Sequence, residues 1–292
     1  MLGGVCVALL LAGLVLLFSF QSLFCRLYTQ ARGGEGAIPF AVSYALIVGV
    51  FTLAANGVSY RPAPATLLLG FLNAFMILLF NLSMVRAGAL GSYAFMMVSM
   101  LSGGILVPMV YDVFYVGERL GTPGIVGVVV MLIAFVIMNL DGFRGAKSGK
   151  YLFWCALLFV VNGFYGILMH LQQLLMKGVQ REEMIVTTFL GMAVLTSGFE
   201  LLVHRRAFLV GFRMSRRALF FLLVSSVCAT LAVNLLLFAM RRVNLTVLNV
   251  VNNGGVLALS AVYAFLIFKE KPDVRTVAGL LLACASIVVL SL

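Results

Sequence analysis

Asn249, Asn252 and Asn253 fall at i, i+3 and i+4 of an otherwise apolar stretch, with Ser260 and Tyr263 further on. On a helix that spacing puts all five along one face. Amides offer donors and acceptors without charge, so the stripe suits recognition of an uncharged or zwitterionic molecule. A milder stripe runs through another apolar stretch: Ser92, Met96, Ser99, Ser102 and Gly103, with Tyr93 beside it. A third polar position is duplicated. Gln21 in "FSFQSLF" and Asn162 in "FVVNGFY" stand 141 residues apart, and Tyr165, Gly166, Met169, Gln172 and Gln173 continue the line from Asn162. Each residue also has a structural reading, since polar side chains bond helix to helix in membranes and serines bond their own backbone. Three clustered amides exceed what packing needs. The candidate solute-binding set is therefore Gln21, Tyr93, Ser99, Ser102, Gly103, Asn162, Tyr165, Asn249, Asn252 and Asn253.

Other chemistry finds few residues to work with. The nine acids are Glu35, Asp112, Glu118, Asp141, Glu182, Glu183, Glu200, Glu270 and Asp273, and none falls near the middle of an apolar run. No Lys or Arg is expected deep in one either. The five cysteines form no CxxC or Cys/His set, so neither a metal nor a disulfide framework is expected. No HExxH or GxSxG occurs, and the two histidines are far apart in sequence, which argues against an intramembrane enzyme. No cofactor is expected.

What must position these residues follows from composition. Hydrophobic residues make up 63% of the 292 and charged residues 10%. A soluble domain cannot bury that much apolar surface, so lipid is the expected solvent and membrane lipids the expected surroundings. Ten apolar stretches of spanning length can be drawn, at about 3–24, 38–58, 65–85, 89–116, 122–140, 150–172, 183–203, 217–238, 243–268 and 272–291. They are too long and too uniformly apolar for a barrel. The first carries no cleavage pattern and is expected to be retained. The net charge of +11 is scattered at the ends of these stretches, as topology and anionic headgroups favour, so nucleic acid is not an expected partner.

The punctuation repeats. "VGERLGTPGIVG" and "FKEKPDVRTVAG" place Glu118 and Glu270 at an offset of 152 residues, and the same offset pairs Gly103 with Gly255 and Gly127 with Gly279. The chain therefore divides into five-helix repeats, 1–145 and 146–292. Five is odd, so successive copies enter the membrane from opposite sides: an all-α membrane protein of ten transmembrane helices in two inverted repeats, a plan of secondary transporters. Glycines in the fourth and ninth spans, with Pro108, suggest that both bend at midplane. Glu118 and Glu270, beside Arg119, Lys269 and Lys271 at helix ends, suit a structural part, accepting bonds from unpaired helix amides.

Ten spans in two halves, with "GERL…G" and "KEK…G" before the last helix of each, resemble the drug/metabolite transporter superfamily, in particular its EamA-type ten-helix members. The resemblance covers essentially the whole chain. It implies a ten-helix bundle with a central cavity lined by the first, third and fourth helices of each half, in a bacterial plasma membrane. The first span lacks the glutamate of the small multidrug relatives, and no deep cation matches the phosphate-anchoring relatives. The expected function is secondary active or facilitative transport of a small neutral or zwitterionic organic metabolite, an amino acid or related solute, by alternating access, with a proton or counter-substrate as coupling partner. Export of drug-like organic compounds is the alternative, followed by an intramembrane enzyme or a non-transporting membrane protein. Fourteen of the 20 Lys and Arg lie in loops after odd-numbered spans, which puts both termini outside the cytoplasm; ten-helix relatives with termini inside point the other way. Gly124, Gly127, Gly279 and Ala283 leave a homodimer open.

Overall fold

A computed structural model describes residues 2–33, 36–111, 114, 121–143, 148–177, 179–203, 211–240, 245–270 and 274–290. Among these there is no strand. Ten helices follow one another among the described residues: α1 Leu2–Ala31, α2 Ala37–Ala55, α3 Pro64–Leu90, α4 Tyr93–Tyr111, α5 Thr122–Phe143, α6 Gly149–Leu175, α7 Arg181–Val203, α8 Arg216–Met240, α9 Leu245–Leu266 and α10 Val274–Leu290. Among the described residues six helical segments, in α1, α2, α3, α6, α7 and α8, are long and apolar enough to cross a bilayer. Lipid offers no hydrogen bonds, so a helix is how such segments satisfy their own backbone.

Local chemistry sets the boundaries. Pro64 opens α3, where its missing N–H costs nothing. Ser148 caps α6 by accepting the amide of Lys150 at 3.2 Å. Gly36, at φ +82, precedes α2, and a Cβ there would sit 2.6 Å from the Tyr28 hydroxyl. That hydroxyl donates to the Gly36 carbonyl at 2.8 Å, tying α2 back to α1.

Polar and apolar residues are placed as lipid requires. Leu202 is 88% exposed and Phe199 61%, while Ser19, Asn73, Ser99, Ser225 and Ser260 are fully buried. A water-soluble fold would reverse much of this.

Helix packing is ordered. α1 lies on α8 and α3 on α6; α4 lies on α6 and α9 on α1; α3 lies on α7 and α2 on α8. Moving each helix five places along the chain converts the first member of each of these three pairings into the second. The pairings α2–α7, α4–α9 and α5–α10 convert into themselves. In α5–α10, Gly127, Gly279 and Ala283 are buried inside the chain.

The glycines do something other than expected. α4 and α9 continue as unbroken helix through Ser102–Gly104 and Asn252–Gly255, so neither is interrupted there. Instead the glycines permit close approach. A Cβ on Gly103 would fall 2.0 Å from the Phe159 carbonyl oxygen of α6, and one on Gly255 would fall 2.7 Å from Val15 of α1. Both aligned glycines thus seat the fourth helix of one half against the first helix of the other.

Candidate functional site: a polar junction of α1, α4, α6 and α9

Most of the sequence-derived residues lie on α4 and α9, which pack on one another and against α6 and α1 respectively. On α4, Tyr93 and Ser99 are completely buried, and among the described residues neither the Tyr93 Oη nor the Ser99 Oγ closes a hydrogen bond of normal geometry, the Tyr93 hydroxyl lying beside Ser260. Ser102 is buried on the same helix. On α9, the Asn252 Oδ1 is buried without a partner among the described residues, Asn253 is half-buried, and the fully buried Ser260 Oγ closes no hydrogen bond of normal geometry among them. Asn249 lies in α9, but its side chain is outside the described residues.

Asn162 serves α4 directly. It donates from Nδ2 to the Met100 carbonyl at 2.7 Å. It reaches that oxygen because Gly104 has no Cβ, which would lie 2.6 Å from the amide nitrogen. Gln21 turns the other way, donating from Nε2 to the Tyr44 hydroxyl at 3.0 Å. Its own carbonyl accepts the Ser225 hydroxyl of α8 at 3.0 Å. Tyr44 packs against Phe189 of α7 at 5.9 Å between ring centres. It lies within electrostatic reach of the half-buried Tyr165. Gln21 and Tyr165 are therefore neighbours of one tyrosine on α2, a residue that sequence reasoning missed because it stands alone in "FAVSYALIVGV".

A second cluster closes one end of this junction. Glu270, just past α9, accepts the Ser92 hydroxyl at 2.8 Å and the Tyr93 amide at 2.6 Å. The Arg26 guanidinium donates to the Gly88 carbonyl and approaches Glu270 at 3.9 Å, while stacking over Phe268 at 5.4 Å. Tyr151, from the first turn of α6, donates to the Ser92 carbonyl at 2.7 Å. Residues from both halves thus meet around the start of α4. Glu270 does accept an unpaired helix amide, as its position suggested, but that of α4 rather than of α10. Its counterpart Glu118 lies outside the described residues.

Arg26 requires a correction. The apolar run was expected to end before it, leaving Arg26 in a loop and no cation within a span. In the structure α1 continues to Ala31, and the Arg26 side chain is only 11% exposed. The signal was present in Cys25, Tyr28 and Thr29, whose helical spacing carries the buried face past the arginine.

Other amides hold the bundle. Asn234 of α8 donates to the Thr52 hydroxyl of α2 at 3.2 Å, and Asn81 donates to its own helix at Ile77. Gln180 binds the α2–α3 connection at the opposite end. Its Oε1 accepts the Ala63 amide at 2.8 Å and the Thr66 hydroxyl at 2.9 Å. Asn73 is fully buried, and both its amide atoms lack a partner among the described residues.

A helical bundle with an apolar exterior and polar side chains set into its core agrees with the comparisons. No curated protein matches the chain. One solved structure, described only as "Crystal structure of protein", matches at a TM-score of 0.60 with 17% identity, covering 98% of this chain and 95% of the other. At that identity the likeness is one of fold. The model of the EamA-like transporter family matches residues 152–292. The match spans the second half of this multi-pass membrane chain and is consistent with the drug/metabolite transporter superfamily.

Proposed function

We propose that the protein is a secondary active or facilitative carrier that moves a small neutral or zwitterionic organic metabolite, such as an amino acid, by alternating access. In this reading all ten helices cross a bacterial plasma membrane. Residues 1–145 and 146–292 form two five-helix halves of inverted topology. The packing pairs that interconvert on a five-helix shift support that relation, because a two-fold axis in the membrane plane requires them.

One observation carries the functional reading. Four buried polar atoms, on Tyr93, Ser99, Asn252 and Ser260, close no hydrogen bond of normal geometry among the described residues, though the Tyr93 and Ser260 hydroxyls lie beside each other, and all four sit on α4 and α9, the self-paired helices at the junction. Each unmade bond costs roughly 1–3 kcal/mol, against a total stability of roughly 5–15 kcal/mol. Collecting them on two facing helices is explained by a solute that completes them during transport. Asn162 and Gln21 shape the walls, Tyr165 and Tyr44 supply aromatic surface, and Gly103 fixes the spacing of α4 from α6. A proton or a counter-substrate drives the cycle. Membrane lipids surround the exposed girdle, and a homodimer would have to use surfaces other than the buried α5–α10 seam.

The test is solute uptake into proteoliposomes. Asn252→Leu is expected to cut uptake at least tenfold while the protein stays folded, because it removes an amide whose oxygen makes no bond in the resting structure. Undiminished uptake by this variant and by Asn253→Leu would contradict the reading. Including hydrophobic cations among the solutes tests export of drug-like compounds as the alternative.

A further inference from the structure

The hydrogen bonds around Arg26 are unevenly shared. A guanidinium carries five donors in a planar fork. Here Nη1 reaches the Gly88 carbonyl. Nη2 stops 3.9 Å from Glu270, beyond hydrogen-bond range. The Nε is buried with no partner among the described residues. Glu270 is held elsewhere, with Oε2 on the Ser92 hydroxyl at 2.8 Å and Oε1 on the Tyr93 amide at 2.6 Å. The acid compensates the charge of the arginine but leaves most of its donors unused.

Unused donors of the same kind lie beside it. The Tyr93 hydroxyl lies beside that of Ser260, near enough to interact with it, and Tyr263 and Arg26 are within electrostatic reach. Tyr93 and Ser260 are fully buried, and among the described residues neither hydroxyl closes a hydrogen bond of normal geometry. Ser19 of α1 and Tyr263 of α9 make only a long 3.4 Å contact. Phe20 stacks on Tyr263 at 6.4 Å, and Phe268 lies under the guanidinium. A cation with open donor positions, two neighbouring hydroxyls that close no well-formed bond and an aromatic wall therefore lie near one another where α1, α4 and α9 meet. Together they complement a planar anion with two oxygens, which a guanidinium binds through paired, charge-assisted bonds.

We propose that Arg26, with the Tyr93 and Ser260 hydroxyls, binds a carboxylate group of the transported solute. The inference rests on the carrier reading and deepens it, by assigning the solute a carboxylate and placing that group at the Arg26 end of the α4–α9 junction. Glu270 holds the site while it is empty, and the arriving carboxylate takes up the donors that Glu270 does not reach. A hydrophobic cation is disfavoured there by the arginine.

The experiment is thermal stabilisation of the purified full chain by the common L-amino acids, by their carboxamides, and by a set of neutral sugars and polyols. A ligand raises the melting temperature according to its affinity. One or more acids are expected to stabilise the protein where the matching amide does not. Tyr93→Phe and Ser260→Ala remove at most the weak contact between those two hydroxyls, so both are expected to fold normally. Each should weaken acid binding about tenfold, the worth of one hydrogen bond to a charged group. Arg26→Lys keeps the charge but loses the fork, and should weaken it further. Equal stabilisation by acid and amide, or unchanged acid affinity in Tyr93→Phe and Ser260→Ala, overturns the carboxylate assignment and leaves the carrier reading standing. A melting temperature unmoved by every solute in all three sets counts against the carrier reading as well.

Discussion

Gly103→Ala is expected to destabilise the protein by at least about 3 kcal/mol, the upper end of overpacking in a formed core. The added methyl would stand 2.0 Å from the Phe159 carbonyl oxygen and 2.5 Å from the Phe159 carbonyl carbon and Cα. All three are main-chain atoms of α6, so no rotamer change can yield and the two helices must move apart. That movement also pulls Asn162 from the Met100 carbonyl, which it now reaches at 2.7 Å. In lipid the close contact of small residues is a main source of helix association, so the loss is not made up by hydrophobic collapse. Gly198→Ala is the control. Nothing lies within 4 Å of a Cβ there, and the substitution is expected to stabilise its exposed helix by about 0.5–1 kcal/mol. Melting temperatures in detergent measure both changes. Equal melting temperatures for the two variants would show that α4 and α6 are not packed as described.

Glu270→Ala is expected to cost about 3 kcal/mol, and Glu270→Gln about half as much. Bonds to a charged group contribute roughly 1.5–3 kcal/mol each, and Glu270 makes two, to the Ser92 hydroxyl and the Tyr93 amide. Alanine removes both acceptors and leaves Arg26, 11% exposed, without its counter-charge. Removing one partner of a buried pair is more damaging than losing the pair. Glutamine keeps one acceptor oxygen for the α4 amide but not the charge. Thermal unfolding of the two variants and of Arg26→Gln separates the contributions. If Glu270→Ala melts with the native protein, the acid does not hold the start of α4.

How far the sequence discloses this arrangement differs residue by residue. The matched offset of Glu118 with Glu270 and Gly103 with Gly255 marks corresponding places in two halves without help from coordinates. What those places do is less visible. Glycine before Pro108 reads equally as a bend or as a contact surface, and only the position of Phe159 reveals the contact. The helix-end role of Glu270 follows from its neighbours in the chain. Its target does not, because the start of α4 is 177 residues away in sequence. Arg26 was misplaced because a charge usually ends an apolar span. Here Glu270 and the Gly88 carbonyl compensate it inside the bundle. Tyr44 offered no periodic signal, and its contact with Gln21 depends on how α2 leans on α1 and α7. Asn252 and Ser99 were legible as polar positions on helical faces, but whether a polar side chain is satisfied depends on what faces it.

The central claim is that the two halves are inverted copies, and side-specific labelling tests it most directly. With Cys6, Cys25, Cys155, Cys228 and Cys284 replaced by alanine, single cysteines are introduced at Gln30 and Lys177, both exposed at the end of the first helix of each half. In intact cells a membrane-impermeant thiol reagent is expected to reach one of the two positions and to reach the other only after permeabilisation. Labelling of both from the same side would contradict the account.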